Sequence, residues 1–193
     1  MVERHLLGIL LLAAHLALLE CKFPLVSRKA FNMSQFLNTK ESIWTYETNG
    51  PSDLECEVEI IHTITPKQIF FMKAYYENGK KITMKLLGKF DPHRLKHLDV
   101  YSLGGEMRFS EDIIYMSSTS SCAVIRVAKS GGKHPTFNLR VRNSSTKEGP
   151  EKKCLRHFLM HVKRANVIYR PQCQHIFDNS GQSSLLVIGG RKK

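Results

Sequence analysis

Cysteine is the residue type whose number and spacing say most about chemistry in this chain of 193 residues. Cys21 lies just beyond an apolar N-terminal run, which leaves four others: Cys56, Cys122, Cys154 and Cys173. No two of them have the Cys-x-x-Cys spacing of zinc ribbons and thioredoxin-like redox sites. An even number of cysteines in an oxidising compartment predicts two disulfides, and spacing alone leaves three pairings open.

Common catalytic signatures do not occur in the sequence. It contains no Gly-x-Ser-x-Gly, no His-Glu-x-x-His and no phosphate-binding loop. His157 and His161 are one helical turn apart, but no glutamate follows His157, and the cationic neighbours of both oppose metal binding. We therefore expect no enzymatic activity, no cofactor and no metal site, and we expect both histidines on an exposed polar face.

The N-terminus has the pattern of a secretory signal. Residues 6–19 form an apolar run, broken only by His15, that is too short to span a bilayer. We expect cleavage after Cys21, so that residues 1–21 are the signal peptide and residues 22–193 form a single extracellular domain with no membrane span. The formal net charge of +12 favours anionic partners. A cluster around the fourth strand is a candidate for glycosaminoglycan contact: Lys80, Lys81, Lys85 and Lys89.

The chain between about residues 42 and 142 reads as one strand after another. Asn78-Gly79 between two apolar runs is a strong hairpin signal. A helix over about residues 150–166 follows, with Cys154, Phe158 and Val162 in one apolar stripe, and we expect it outside the sheet. After the helix we expect a disulfide-tied tail to about residue 177 and then a mobile C-terminus. Eight antiparallel strands and one C-terminal helix match the plan of a lipocalin (calycin) barrel, which can hold one small ligand.

An ordered set of short motifs resembles the tick salivary lipocalins, the family that includes the histamine-binding proteins. The motifs are Ser42-Ile43-Trp44-Thr45-Tyr46, Cys56 opening the second strand, Ser121-Cys122-Ala123-Val124, the helix with Cys154, and Tyr169 four residues before Cys173. The resemblance covers nearly all of the expected mature chain and implies a salivary protein that sequesters a small molecule. It also implies the pairing Cys56–Cys173 and Cys122–Cys154, with Trp44 closing one end of the barrel.

Two acidic positions of the amine-binding members of that family differ here. Those members carry an acidic residue directly after the helix cysteine and a glutamate before an apolar-aromatic pair farther on. Leu155 and Val167 occupy these positions. The resemblance therefore does not extend to these two acids.

Strand faces predict which side chains line the barrel. If Cys122 faces an outer helix, the alternation along its strand turns Ile125 inward. With Lys73 taken as outward, we predict an apolar lining made of Phe70, Met72, Tyr76, Met84, Ile125, Phe137 and Leu139. If Cys56 faces the tail, Glu57 and Glu59 point inward and suit a cationic amine. The alternatives for the two acids are a bulge in the strand or a position in water at the barrel mouth.

Three functions are compatible with these patterns. We favour sequestration of a host mediator of inflammation or haemostasis, with an eicosanoid or fatty acid preferred because the predicted lining is apolar and the chain is basic. A biogenic amine, histamine or serotonin, is the second ligand class. An inhibitor that binds a host defence protein such as a complement component, through loops and the outer surface, is the alternative of a different class. We expect no nucleic-acid partner, because the aromatic residues fall mostly on apolar strand faces.

Two sequons predict glycosylation of Asn32 and Asn143 when the protein is made in a eukaryotic secretory cell. Digestion with an amidase that removes N-glycans should lower the mass of the secreted protein in two steps. An Asn32→Gln or Asn143→Gln variant should show one step. A single mass before and after digestion of the unaltered chain would contradict both assignments.

Overall fold

The computed structural model describes residues 31–105, 107–132 and 134–178. The expected signal peptide, its cleavage after Cys21 and the expected mobile C-terminus lie outside these residues. Among the helices of the described segments, none combines the length and the apolar character that a membrane span requires.

Eight antiparallel strands close into a barrel, which confirms the predicted architecture. The strands are β1 Ile43–Thr48, β2 Leu54–Ile64, β3 Gln68–Glu77, β4 Lys80–Phe90, β5 His97–Ser102, β6 Arg108–Met116, β7 Cys122–Lys129 and β8 Thr136–Arg142. Each strand pairs with the next, and β1 pairs with both β2 and β8. Ile43 thus lies opposite Glu59 on one side and Arg142 on the other, which closes the ring.

A short helix closes the end of the barrel at which β1 begins. This helix, α1, spans Met33–Leu37, and its N-cap Asn32 accepts a hydrogen bond from the Ser34 amide at 2.9 Å. Three of its side chains are fully buried among inward-facing residues of the strands: Met33, Phe36 and Leu37. Helix α1 is absent from the elements predicted above. Its apolar residues are spaced three and four apart behind an asparagine cap, which is the signal that could have found it.

A second helix, α2, spans Lys152–Leu159 and packs on the outside of β7 and β8. Its buried side chains, Cys154 and Phe158, contact the outward face of these strands, where Val124, Leu139 and Val141 form one apolar cluster. The helix is shorter than the predicted 150–166. Leu159 and Met160, where the helix ends, are 53% and 63% exposed, so little packing supports another helical turn there.

The C-terminal segment wraps the outer face of β1 to β3 and carries the second disulfide. A two-residue strand, β9 Asn166–Val167, pairs with Glu47 and Thr48 of β1. A 3₁₀ helix, Pro171–Phe177, then places Cys173 against Cys56. The pairing Cys56–Cys173 and Cys122–Cys154 is confirmed, with Cα–Cα distances of 5.0 and 6.3 Å.

The two disulfides are expected to stabilise the barrel unequally, because they close loops of different length. Cys56 and Cys173 are 117 residues apart, and Cys122 and Cys154 are 32 apart. Each disulfide removes conformational entropy from the unfolded chain. Removing the longer link should therefore lower the free energy of unfolding by about 5 kcal/mol, and removing the shorter by about 4 kcal/mol. Urea unfolding of the double alanine variants measures both costs. Equal midpoints, or a larger loss in the Cys122→Ala/Cys154→Ala variant, would contradict this order.

Candidate functional site: a cavity above a buried ion cluster

The open end of the barrel contains a cavity of about 120 Å³. Its walls are mainly apolar, and they come from Leu54, Met84, Met107, Phe109 and Val127. Its floor is polar and is formed by Glu57, Lys73 and Asn138. Charged side chains that also line it, nearer the mouth, are Glu77 and Lys129. The cavity is small beside the roughly 300–1,000 Å³ of pockets that hold drug-sized ligands.

Five charged side chains occupy the middle of the barrel at and below this floor. They are Glu57 and Glu59 of β2, Lys73 of β3, Glu111 of β6 and Arg140 of β8, all less than 10% exposed. We call this group the ion cluster. It joins strands from opposite walls and contains three acids and two cations. Below it, the barrel is filled by apolar side chains down to α1.

Arg140 is the centre of the ion cluster. Its Nη1 and Nη2 donate to both carboxylate oxygens of Glu111, at 2.8 and 2.6 Å, and Nη1 also donates to Glu59 Oε2 at 3.0 Å. Lys73 Nζ lies 2.9 Å from Glu59 Oε1, 3.7 Å from Glu57 Oε2 and 3.8 Å from Glu111 Oε1. The contact between Lys73 and Glu59 is an ion pair and not a well-directed hydrogen bond. Bidentate pairing to a guanidinium is the strongest of these contacts.

The surroundings of the two fully buried acids shift their pKa values in opposite directions. Burial raises the pKa of Glu59, and the charges of Arg140 and Lys73 offset this only in part. Burial acts the same way on Glu111, but Arg140 and Lys73 outweigh it and hold the pKa of Glu111 below its usual value. Burial disfavours the charged form of Lys73, yet Glu57 and Glu59 raise its pKa. Both cations therefore stay charged, and Glu59 accepts a proton more readily than Glu111.

Glu57 connects the ion cluster to the cavity. Its Oε1 accepts hydrogen bonds from Thr45 Oγ1 at 2.5 Å and from Asn138 Nδ2 at 3.3 Å. Asn138 Oδ1 in turn accepts from Thr48 Oγ1 at 2.7 Å, which fixes the orientation of the amide. Within the described segments, Glu57 Oε2 has only the 3.7 Å ion pair with Lys73. One carboxylate oxygen at the cavity floor is thus available to a ligand.

The predicted site residues fall into three places. Met84 and Glu57 line the cavity, as expected of inward-facing residues. Ile125 also faces inward, but it lies in the apolar core toward α1 and away from the cavity. Glu59 lies within the ion cluster, beneath the floor. Strand β2 has a bulge next to Cys56, between Glu55 and Val58, but Glu57 and Glu59 still face the interior.

The predicted orientation of β3 and β8 is wrong. Lys73 faces inward, because Glu59 is its partner across the β2–β3 ladder. Its strand neighbours Phe70, Met72 and Tyr76 consequently lie on the outer face. In β8, Arg140 faces inward, and Phe137 and Leu139 lie under α2. Of the seven predicted apolar lining residues, five therefore face outward.

Trp44 does not close the barrel. It lies on the outer face of β1, where its ring contacts Tyr169 edge to face at 5.2 Å and its Nε1 donates to Asn143 Oδ1 at 2.8 Å. The closing side chains come from α1 instead. The two histidines of α2 and its following turn, His157 and His161, stack on Tyr115 and Phe137. Within the segments described, no three His, Cys, Asp or Glu side chains are placed to hold a metal ion.

Replacing Arg140 by methionine should lower the free energy of unfolding by about 3–5 kcal/mol, because Glu59 and Glu111 would lose their shared cation in a buried site. Arg126→Met is the matched control, since this partly exposed arginine pairs with Asp112 at 3.0 Å and should cost less than about 1 kcal/mol. Urea unfolding measures both. Similar losses in the two variants would contradict a central role for Arg140.

No family model and no curated protein matches this chain. Among solved structures, it is similar to Japanin from Rhipicephalus appendiculatus bound to cholesterol, with 12% identity and a TM-score of 0.52 over 70% of this chain and 96% of that one. A match to apocrustacyanin C2 has 16% identity and a TM-score of 0.49 over 65% of this chain and 74% of that one. Together with the closed ring of eight antiparallel strands and the helix that follows, the similarity to Japanin shows that this chain has the lipocalin fold.

Proposed function

We propose that the protein is a secreted binding protein that sequesters a compact organic cation, of the size and charge of a biogenic amine, in the mouth of the barrel. The observation that supports this proposal most directly is the available Oε2 of Glu57 at the cavity floor. The ion cluster beneath it contains three acids and two cations, so a ligand cation can supply the missing positive charge. Capture of this kind requires affinity and no chemical step.

The size of the cavity supports a compact ligand. A cavity of about 120 Å³ is close to the 150 Å³ of an engineered apolar cavity that takes up benzene. One ring therefore fits between Met84, Phe109 and Val127, with a short arm reaching Glu57. A long acyl chain would have to continue past the floor, where Glu57, Lys73 and Asn138 lie. Desolvating these side chains without a partner would oppose its entry.

The orientation of the strands does not support the preference for an eicosanoid or fatty acid. That preference depended on an apolar lining, and five of the seven side chains in that lining lie on the outer face of the barrel. The cholesterol bound by Japanin shows what that protein holds, at 12% identity to this chain. A sterol would need more space than the cavity above the ion cluster offers. We therefore place the amine first and the lipid second.

Secretion and a role at the host interface complete the proposal. Two disulfides suit an oxidising compartment, and the resemblance of the sequence motifs to salivary lipocalins supports capture of a host mediator of inflammation or haemostasis. Because one barrel holds one ligand, the protein must be present in at least the molar amount of the mediator. A compact amine released locally fits that requirement.

Glu57→Gln should weaken binding of histamine or serotonin by about 10- to 100-fold, since it removes the charge at the floor and keeps the acceptor for Thr45. Glu55→Gln, an exposed position two residues away, is the matched control and should leave affinity unchanged. Calorimetry is the appropriate measurement, because Trp44 lies outside the barrel and reports poorly on the cavity. Arachidonate bound more tightly than either amine, with no effect of Glu57→Gln, would show that the lipid is the ligand.

A further inference from the structure

The outward face of α2 and the turn after it form a cationic surface. Between Glu151 and Asp178 the chain contains no acidic residue and six lysines or arginines: Lys152, Lys153, Arg156, Lys163, Arg164 and Arg170. All six are exposed. In the part of the chain that the structure describes, none of the six takes part in a salt bridge. Their combined field therefore favours an anionic partner.

Exposed apolar side chains lie within this cationic surface. Leu159 and Met160 are 53% and 63% exposed, and both rank among the few large apolar residues that the described segments leave in water. They surround a shallow concavity together with Lys152, Leu155 and Arg156. Apolar and cationic groups therefore alternate over one small area. Neither the ligand cavity nor the ion cluster involves any of these residues.

The protein holds this surface in a fixed orientation. On the inward face of α2, Cys154 is bonded to Cys122, Phe158 is fully buried, and the ring of His157 stacks on Tyr115 at 3.9 Å. These contacts prevent α2 from rotating to bury Leu159 and Met160. The apolar pair thus stays exposed in the folded protein, which is unusual unless a partner covers it.

We propose that this surface, defined by α2 and the turn through Arg164, docks on an anionic lipid bilayer. A bilayer containing acidic phospholipids offers both of the chemistries that the surface displays. Its headgroups attract the four cations Lys152, Arg156, Lys163 and Arg164, and its interface accepts the apolar side chains of Leu159 and Met160. A sulfated polysaccharide would satisfy the cations alone and would leave the apolar pair in water. The apolar pair therefore favours the bilayer.

Sedimentation with vesicles tests this proposal on the full chain without added ligand. Vesicles of phosphatidylcholine with about one third phosphatidylserine should bind the protein, and pure phosphatidylcholine should bind it far more weakly. Lys152→Gln/Arg156→Gln/Lys163→Gln should lower the partition coefficient on the order of 100-fold. Lys40→Gln/Lys67→Gln/Lys96→Gln removes the same charge from exposed positions outside α2 and the turn after it and should lower it only slightly.

A second variant tests the apolar contribution at constant charge. Leu159→Gln/Met160→Gln should weaken vesicle binding by at least about tenfold. It should not change retention on a heparin column, because that interaction depends on charge. Equal loss in the two triple variants would overturn the proposal. So would retention on heparin without vesicle binding, since the surface would then be one for polysaccharide.

Discussion

The arrangement of the barrel interior depends on the pairing of Arg140 with Glu111 and Glu59. A buried charge is costly unless it has a partner, and these three side chains come from β8, β6 and β2, on different sides of the ring. Because a shift of one residue in strand register turns every side chain to the other face, the pairing is compatible with one register only. Lys73 adds β3 to the same cluster. The ion cluster thereby specifies how the walls face one another.

The cluster also determines what the barrel can hold. The floor of the cavity presents the charged and amide groups of Glu57, Lys73 and Asn138, while the apolar wall beside them belongs to the same cluster as the interior next to α1. Glu57 belongs to both the ion cluster and the floor, since one oxygen is held by Thr45 and Asn138 and the other faces the cavity. The proposed preference for a compact cation over a fatty chain rests on this polar floor. If the proposed ligand binds there, its affinity and the stability of the fold are coupled through Glu57.

The sequence was sufficient to predict eight strands, the outer helix and the inward face of β7, and the family resemblance supplied the disulfide pairing. It did not predict the inward faces of β3 and β8. Alternation shows which residues share a face, but it does not show which face is inside a barrel when both faces are packed. The pattern of β8 does not show that its apolar face lies outside, where Leu139 gives α2 an apolar surface to pack on. An inward Lys73 is not predicted either, because its partner Glu59 is identifiable only once the β2–β3 register is known.

The position of the cavity at the mouth of the barrel has a consequence for how such a protein can diversify. Leu54 and Met107 line the cavity and lie outside the apolar cluster that contains the plug side chains Met33, Phe36 and Leu37. Substitutions at these two mouth positions can alter the shape of the cavity without disturbing the packing that closes the barrel. Selection for a new ligand and selection for a folded protein then act on different sets of residues. One scaffold can in this way give rise to a series of descendants with unrelated specificities.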